Sequence, residues 1–83
     1  MNKQAQKEEA KGNELLRAYV AKNMSLLGIK SKNELAARLH LSLKSLCTKL
    51  ADPGKFRLWE LRRLFYVLQF TEKEKNDVWG GAA

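Results

Sequence analysis

The chain has 83 residues, 45% of them hydrophobic and 30% charged, with a formal net charge of +7. That length fits one small domain with only a few kcal/mol to spare, so most leucines should be buried, and no apolar run approaches the roughly 18 residues of a membrane span. One cysteine and one histidine exclude an internal disulfide and a zinc site of four cysteines or of two cysteines and two histidines within one chain, and they leave no plausible catalytic set, so neither an enzyme nor a cofactor is expected.

In chain order, residues 1–13 are polar, end in Gly12-Asn13, and read as a flexible arm. They carry no hydrophobic signal-peptide region, which makes a cytoplasmic protein the simplest expectation. The stretch "ELLRAYVAKNMSLLG" places Leu16, Val20, Met24 (or Asn23) and Leu27 on one face of a first helix, with Leu15 and Tyr19 beside it. Gly28 is a suitable C-terminal stop. "SKNE" is a capping box in which Ser31 accepts from the N–H of Glu34 and Glu34 reaches back to the N–H of Ser31. Leu35, Ala36 and Leu39 then form a narrow stripe on a short second helix. Ser42 is the next N-cap, and Leu46 and Leu50, four apart, belong to a third helix at about 42–51. "DPG" ends it, with Pro53-Gly54 expected in the middle of a type II turn.

"FRLWELRRLFYVLQF" is the strongest helical pattern, with Leu58, Leu61, Leu64, Phe65 and Leu68 as its core face. "TEKE" is a second capping box, Thr71 with Glu74, and opens a final helix ending near "WGG". No stretch alternates as a strand would. The expected organisation is a flexible arm over 1–13, an all-α domain of five helices over 14–79, and a loose tail over 80–83.

The charge is unevenly spread. Residues 30–63 hold nine Lys/Arg against three acids, a net +6, while residues 1–29 carry +2 and residues 64–83 carry −1. A basic block on a folded segment points to a polyanion such as nucleic acid, or to a merely solvated surface. Within the block, "KSKNELAARLHLSLKSLCTKL" (residues 30–50) joins two short helices at "LHLS". The connection is too short for an antiparallel pair, so a steep crossing closed around the small Ala36 is expected, with the outer side of the third helix left free.

On Leu35-Ala36, Leu39, Leu41-Ser42, Leu46 and Leu50, followed by "FRLWELRRLFYVL", the segment resembles the phage-repressor and Cro-like (XRE-type) helix-turn-helix family. The resemblance covers about Ser31 to Thr71 and, more loosely, the first helix. It departs at His40, where the family usually has glycine in a left-handed turn; histidine is among the residues enriched there. The resemblance implies a five-helix, lambda-repressor-like bundle. It also implies a sequence-specific double-stranded DNA-binding regulator, a phage or mobile-element repressor, with the third helix in the major groove.

On that reading Lys44 donates to guanine, Thr48 meets a base edge or a thymine methyl, and Leu43 meets a thymine methyl or packs on the second helix. In the resembled family the first residue of helix 2 and the loop after helix 3 hold phosphates, and Lys32 and Lys55 match those places. Ser42, Ser45, Lys49 and Arg57 are further phosphate candidates, Ser42 being equally a cap alone. Arg38, Arg62 and Arg63 read as solvated or paired with acids, and Cys47 as a small replaceable residue on the same side.

The fourth helix carries a second stripe, Trp59, Arg63, Tyr66 and Phe70, opposite its leucines. With Trp79 this stripe is the expected homodimer interface, unless the first or last helix covers it. No small-molecule ligand is expected. The alternative reading is a protein-interaction module, such as an antitoxin or adaptor, built on the same fold.

Overall fold

The computed structural model of the chain describes the backbone of residues 3–78 and the side chains of residues 11–78. The expected dimer contact of Trp79 and the tail 80–83 lie outside the described residues. The described chain is all-helical: α1 (Lys3–Leu27), α2 (Lys32–Leu39), α3 (Leu43–Ala51), a 3-10 turn (Pro53–Lys55), α4 (Leu58–Val67) and α5 (Glu72–Val78). Among the described residues no helix is long and apolar enough to cross a membrane.

α1 begins well before the Glu14 start expected of it, so the segment read as an arm is helical from Lys3. "KQAQKEEAK" consists of strong helix formers, and a helix already nucleated downstream extends through them at little cost. Gly12 lies inside the helix and is buried.

Three helices end in the same way. Gly28, His40 and Gln69 have left-handed backbones, with φ of 72°, 57° and 53°. In each case the left-handed N–H donates to the carbonyl three residues back: Gly28 to Ser25, His40 to Ala37 and Gln69 to Tyr66. The next N–H reaches five back: Ile29 to Met24, Leu41 to Ala36 and Phe70 to Phe65. This is the Schellman arrangement, and the residue after the left-handed one turns into the protein. Ile29 and Phe70 are buried, and Leu41 packs on the core.

The core is Leu16 and Val20 of α1, Ile29, Leu35, Ala36 and Leu39 of α2, Leu46 and Leu50 of α3, Leu64 and Phe65 of α4, and Leu68 and Phe70 after it. α2 packs on α3 and α4, and α1 packs on α5. A polar seam closes the α1–α5 contact. Buried Glu74 accepts from Lys22 Nζ (2.6 Å), from Asn23 Nδ2 (3.4 Å) and from the Thr71 N–H (2.9 Å), and the Tyr19 hydroxyl donates to Asp77 (2.7 Å). Burial opposes ionisation of Glu74, but these donors outweigh it and hold the carboxyl below its ordinary value.

Three local expectations change and one open alternative is decided. Leu58 is 57% exposed although it lies on nearly the same line of the helix as buried Phe65, seven positions on, because as the first residue of α4 it sits two turns away at the helix end. Asn23, not Met24, is the buried member of its pair on α1. Ser31 caps α2 as expected, accepting from Glu34 N–H (3.2 Å), but Glu34 returns its bond to the Lys30 N–H (2.9 Å). After α3, Lys55 N–H donates to Asp52 (2.9 Å) in a 3-10 turn, and Gly54 lacks the positive φ a type II turn needs.

Candidate nucleic-acid interface

α2, the His40 turn and α3 form the centre of the candidate site. Ser42 starts α3: its backbone is extended, and its hydroxyl accepts from the Ser45 N–H (3.1 Å). Leu46 and Leu50 are buried, which turns the opposite face of α3 outward. That face presents Lys44, Cys47 and Thr48, all exposed, with Leu43 40% exposed on the first turn. Lys44 and Thr48 lie one turn apart and so share one line along the helix. Ser45 is half-buried, and the Ser42 hydroxyl is already engaged as a cap.

Cations flank this face. Lys32 is the first residue of α2, and it lines a cleft with Arg17, Val20, Ala21, Met24 and Leu50 at the far end of α3. Lys55 closes the 3-10 turn that packs on α3, and Arg57 follows two residues later. All three are exposed.

The ion pairs divide the basic residues into two sets. Lys22 pairs with Glu74, Arg38 with Glu34, Lys49 with Glu60, Lys73 with Asp77 and Lys75 with Glu72. Among the described residues, Lys32, Lys44, Lys55 and Arg57 have no carboxylate partner within ion-pair distance. The positive charge left uncompensated therefore includes the residue types and positions expected at a phosphate backbone.

Lys49 falls on the other side of that division. Its side chain is 17% exposed, and its ammonium is bonded to Glu60, which is itself buried. Glu60 also accepts from the Arg57 N–H (2.8 Å). Burial works against the charged form of Glu60, yet Lys49 and the Arg57 N–H together hold its carboxyl below the ordinary range. The phosphate contact expected of Lys49 gives way to a tether between α3 and α4. Arg17 supplies a second tether from α1, donating to the Leu50 carbonyl (3.2 Å) near the end of α3. Sequence spacing gave no sign of Arg17, whose partner is 33 positions away. The C-terminal half of α3 is thus held by two long-range bonds, and its N-terminal half is the presented part.

Of the stripe expected at a dimer interface, Trp59 (49% exposed) and Tyr66 (84% exposed) face outward. Arg63 lies over the Trp59 ring, 5.5 Å from its centroid. Phe70 does not join them. α4 stops at Val67, the left-handed Gln69 reverses the chain, and Phe70 is 6% exposed, against Phe65 (4.8 Å between centroids) and Tyr19 (6.1 Å).

Cys47 is a free, exposed thiol. Among the described residues no group of three His, Cys, Asp or Glu side chains could hold a metal ion. No protein-family model matches the chain, and no curated protein or solved structure is significantly similar to it.

Proposed function

We propose that the chain is a sequence-specific double-stranded DNA-binding regulator of the phage-repressor type, reading the major groove with the N-terminal half of α3. The observation that carries this reading is the charge at α3: Lys44 on its exposed face and Lys32, Lys55 and Arg57 on its flanks are exposed and have no carboxylate partner among the described residues. An exposed helix with a lysine, a threonine and an apolar residue on its outer line has the side chains that base edges and thymine methyls take. Lys44, Thr48 and Leu43 are assigned to bases. Lys32, Lys55 and Arg57 are assigned to phosphates, which position the helix without reading sequence. Ser42 and Lys49 are assigned to holding α3 in place. A cytoplasmic site of action and a non-enzymatic role belong to the same proposal.

One chain occupies one half-site. The homodimer proposed here pairs two chains side by side on an inverted repeat, because a two-fold contact centred on Arg62 and Arg63 of α4 would set arginine against arginine.

Equilibrium binding to duplex DNA as a function of salt tests this reading. The log–log slope should be about −0.9 per phosphate neutralised. Lys32→Ala and Lys55→Ala should each flatten the slope by about 1 and weaken cognate and random duplexes alike. Lys44→Ala should cost roughly 1–3 kcal/mol on the cognate site and little on random DNA. Binding that is indifferent to salt, or equal losses on both duplexes for Lys44→Ala, would remove α3 as the reader.

A further inference from the structure

The outer face of α4 has no partner within the described chain. At 3.6 residues per turn, Glu60, Leu64 and Phe65 fall on one arc and are buried, while Trp59, Arg62, Arg63 and Tyr66 fall on the other and are exposed; Leu58, close to the line of Phe65, is exposed at the first residue of the helix. Leu58, Trp59 and Tyr66 are 57%, 49% and 84% exposed. Tryptophan, tyrosine and arginine are the residue types that dominate affinity at protein interfaces. A groove runs beside them between α4 and α5, lined by Leu58, Leu61, Arg62, Phe65, Tyr66 and Lys75.

Charge selects the occupant. α4 contains one acid, Glu60, and it is buried against Lys49. Every exposed charge on the helix is therefore positive, and neither Arg62 nor Arg63 has a carboxylate partner among the described residues. A second copy would bring the same arginines face to face. A phosphate backbone would satisfy them but leave Leu58 and the apolar lining of the groove in water.

We propose that this face docks an acidic amphipathic helix of a partner protein, with an apolar anchor in the α4–α5 groove and carboxylates against Arg62 and Arg63. This is the helix-in-groove mode of recognition, with charge added for specificity. It uses no residue assigned to base or phosphate contact, so it stands or falls separately from DNA reading.

The test is an NMR titration of the isotope-labelled full chain with a synthetic peptide bearing leucines at i, i+4 and i+7 flanked by glutamates. A scrambled peptide of the same composition and a single-stranded oligo-dT are titrated in parallel, and the chain alone is sedimented. The amphipathic peptide should move amide resonances of Leu58–Val67 and of Lys75 and leave those of α3 in place. The Arg62→Glu, Arg63→Glu double variant should bind it at least about tenfold more weakly while keeping the parent's helical circular dichroism, and Tyr66→Ala should weaken it as well. Three results would overturn the proposal: the scrambled peptide binds as well or neither binds; oligo-dT moves the same resonances at lower concentration; or the chain alone sediments as a dimer that Tyr66→Ala dissociates.

Discussion

Lys44 and Lys49 lie five positions apart on α3, and the fold puts them to different uses. Lys44 is exposed and unpaired, whereas Lys49 neutralises a buried carboxylate. Removing the Lys49 ammonium leaves Glu60 charged and buried without its cation, a change that typically costs about 3–5 kcal/mol. Lys49→Ala should therefore lower the melting temperature strongly and leave the salt slope of DNA binding unchanged. Lys55→Ala should do the reverse. The two buried glutamates also set an acid limit. Glu60 and Glu74 titrate below the ordinary glutamate value of 4.5 in the folded chain. As pH falls the unfolded chain takes up these protons first, so their stabilisation is present in full above that value and is lost as pH falls through the folded values. Thermal melts should show a flat melting temperature from about pH 7 to pH 5 and a decline below about pH 4.5, and Glu74→Gln should make that decline shallower. A melting temperature that instead rose on acidification would contradict the ionised, partnered state of both groups.

At the scale of the elements, helix starts were more legible in the sequence than helix ends. Ser31, Ser42 and Thr71 each announce an N-cap through a hydroxyl beside a helical pattern, and each caps as expected. Of the three Schellman ends, Gly28 carries the strong sequence signal. His40 was legible only through its departure from a glycine-bearing family, and Gln69 gave none. Helical spacing alone therefore continues the stripe through Trp59 and Tyr66 to Phe70, past a helix end that only the packed chain reveals. The tethering bonds of Lys49 and Arg17 are not legible in the sequence because their partners lie 11 and 33 positions away, beyond anything helical periodicity reports. The left-handed His40 gives a direct test of the turn between α2 and α3. A non-glycine residue there costs roughly 1–2 kcal/mol, partly offset by the entropy glycine loses on folding. His40→Gly should raise stability by up to about 1 kcal/mol in denaturant melts. A loss of stability would mean that the imidazole itself supports the turn.

For the whole molecule, the core leucines of α1 to α4 fix where α3 points, and the two tethers at its far end fix how firmly. Unpaired Lys32, Lys44, Lys55 and Arg57 then lie on and beside the presented face of α3, while the Lys22–Glu74 pair closes the contact between α1 and α5. The fold thus separates the cationic α3 face proposed to read DNA from the α4 face proposed to dock an acidic helix. Selection of binding sites from a random duplex library, followed by sequencing, tests the reading face most directly. The proposal of α3 as a major-groove reader predicts enrichment of one short half-site motif, occurring as an inverted repeat with centres about 34–36 Å apart. The Lys44→Ala protein should lose the preference at one base pair of that motif. A pool that retains its starting composition after repeated rounds, or a motif that Lys44→Ala selects unchanged, would contradict it.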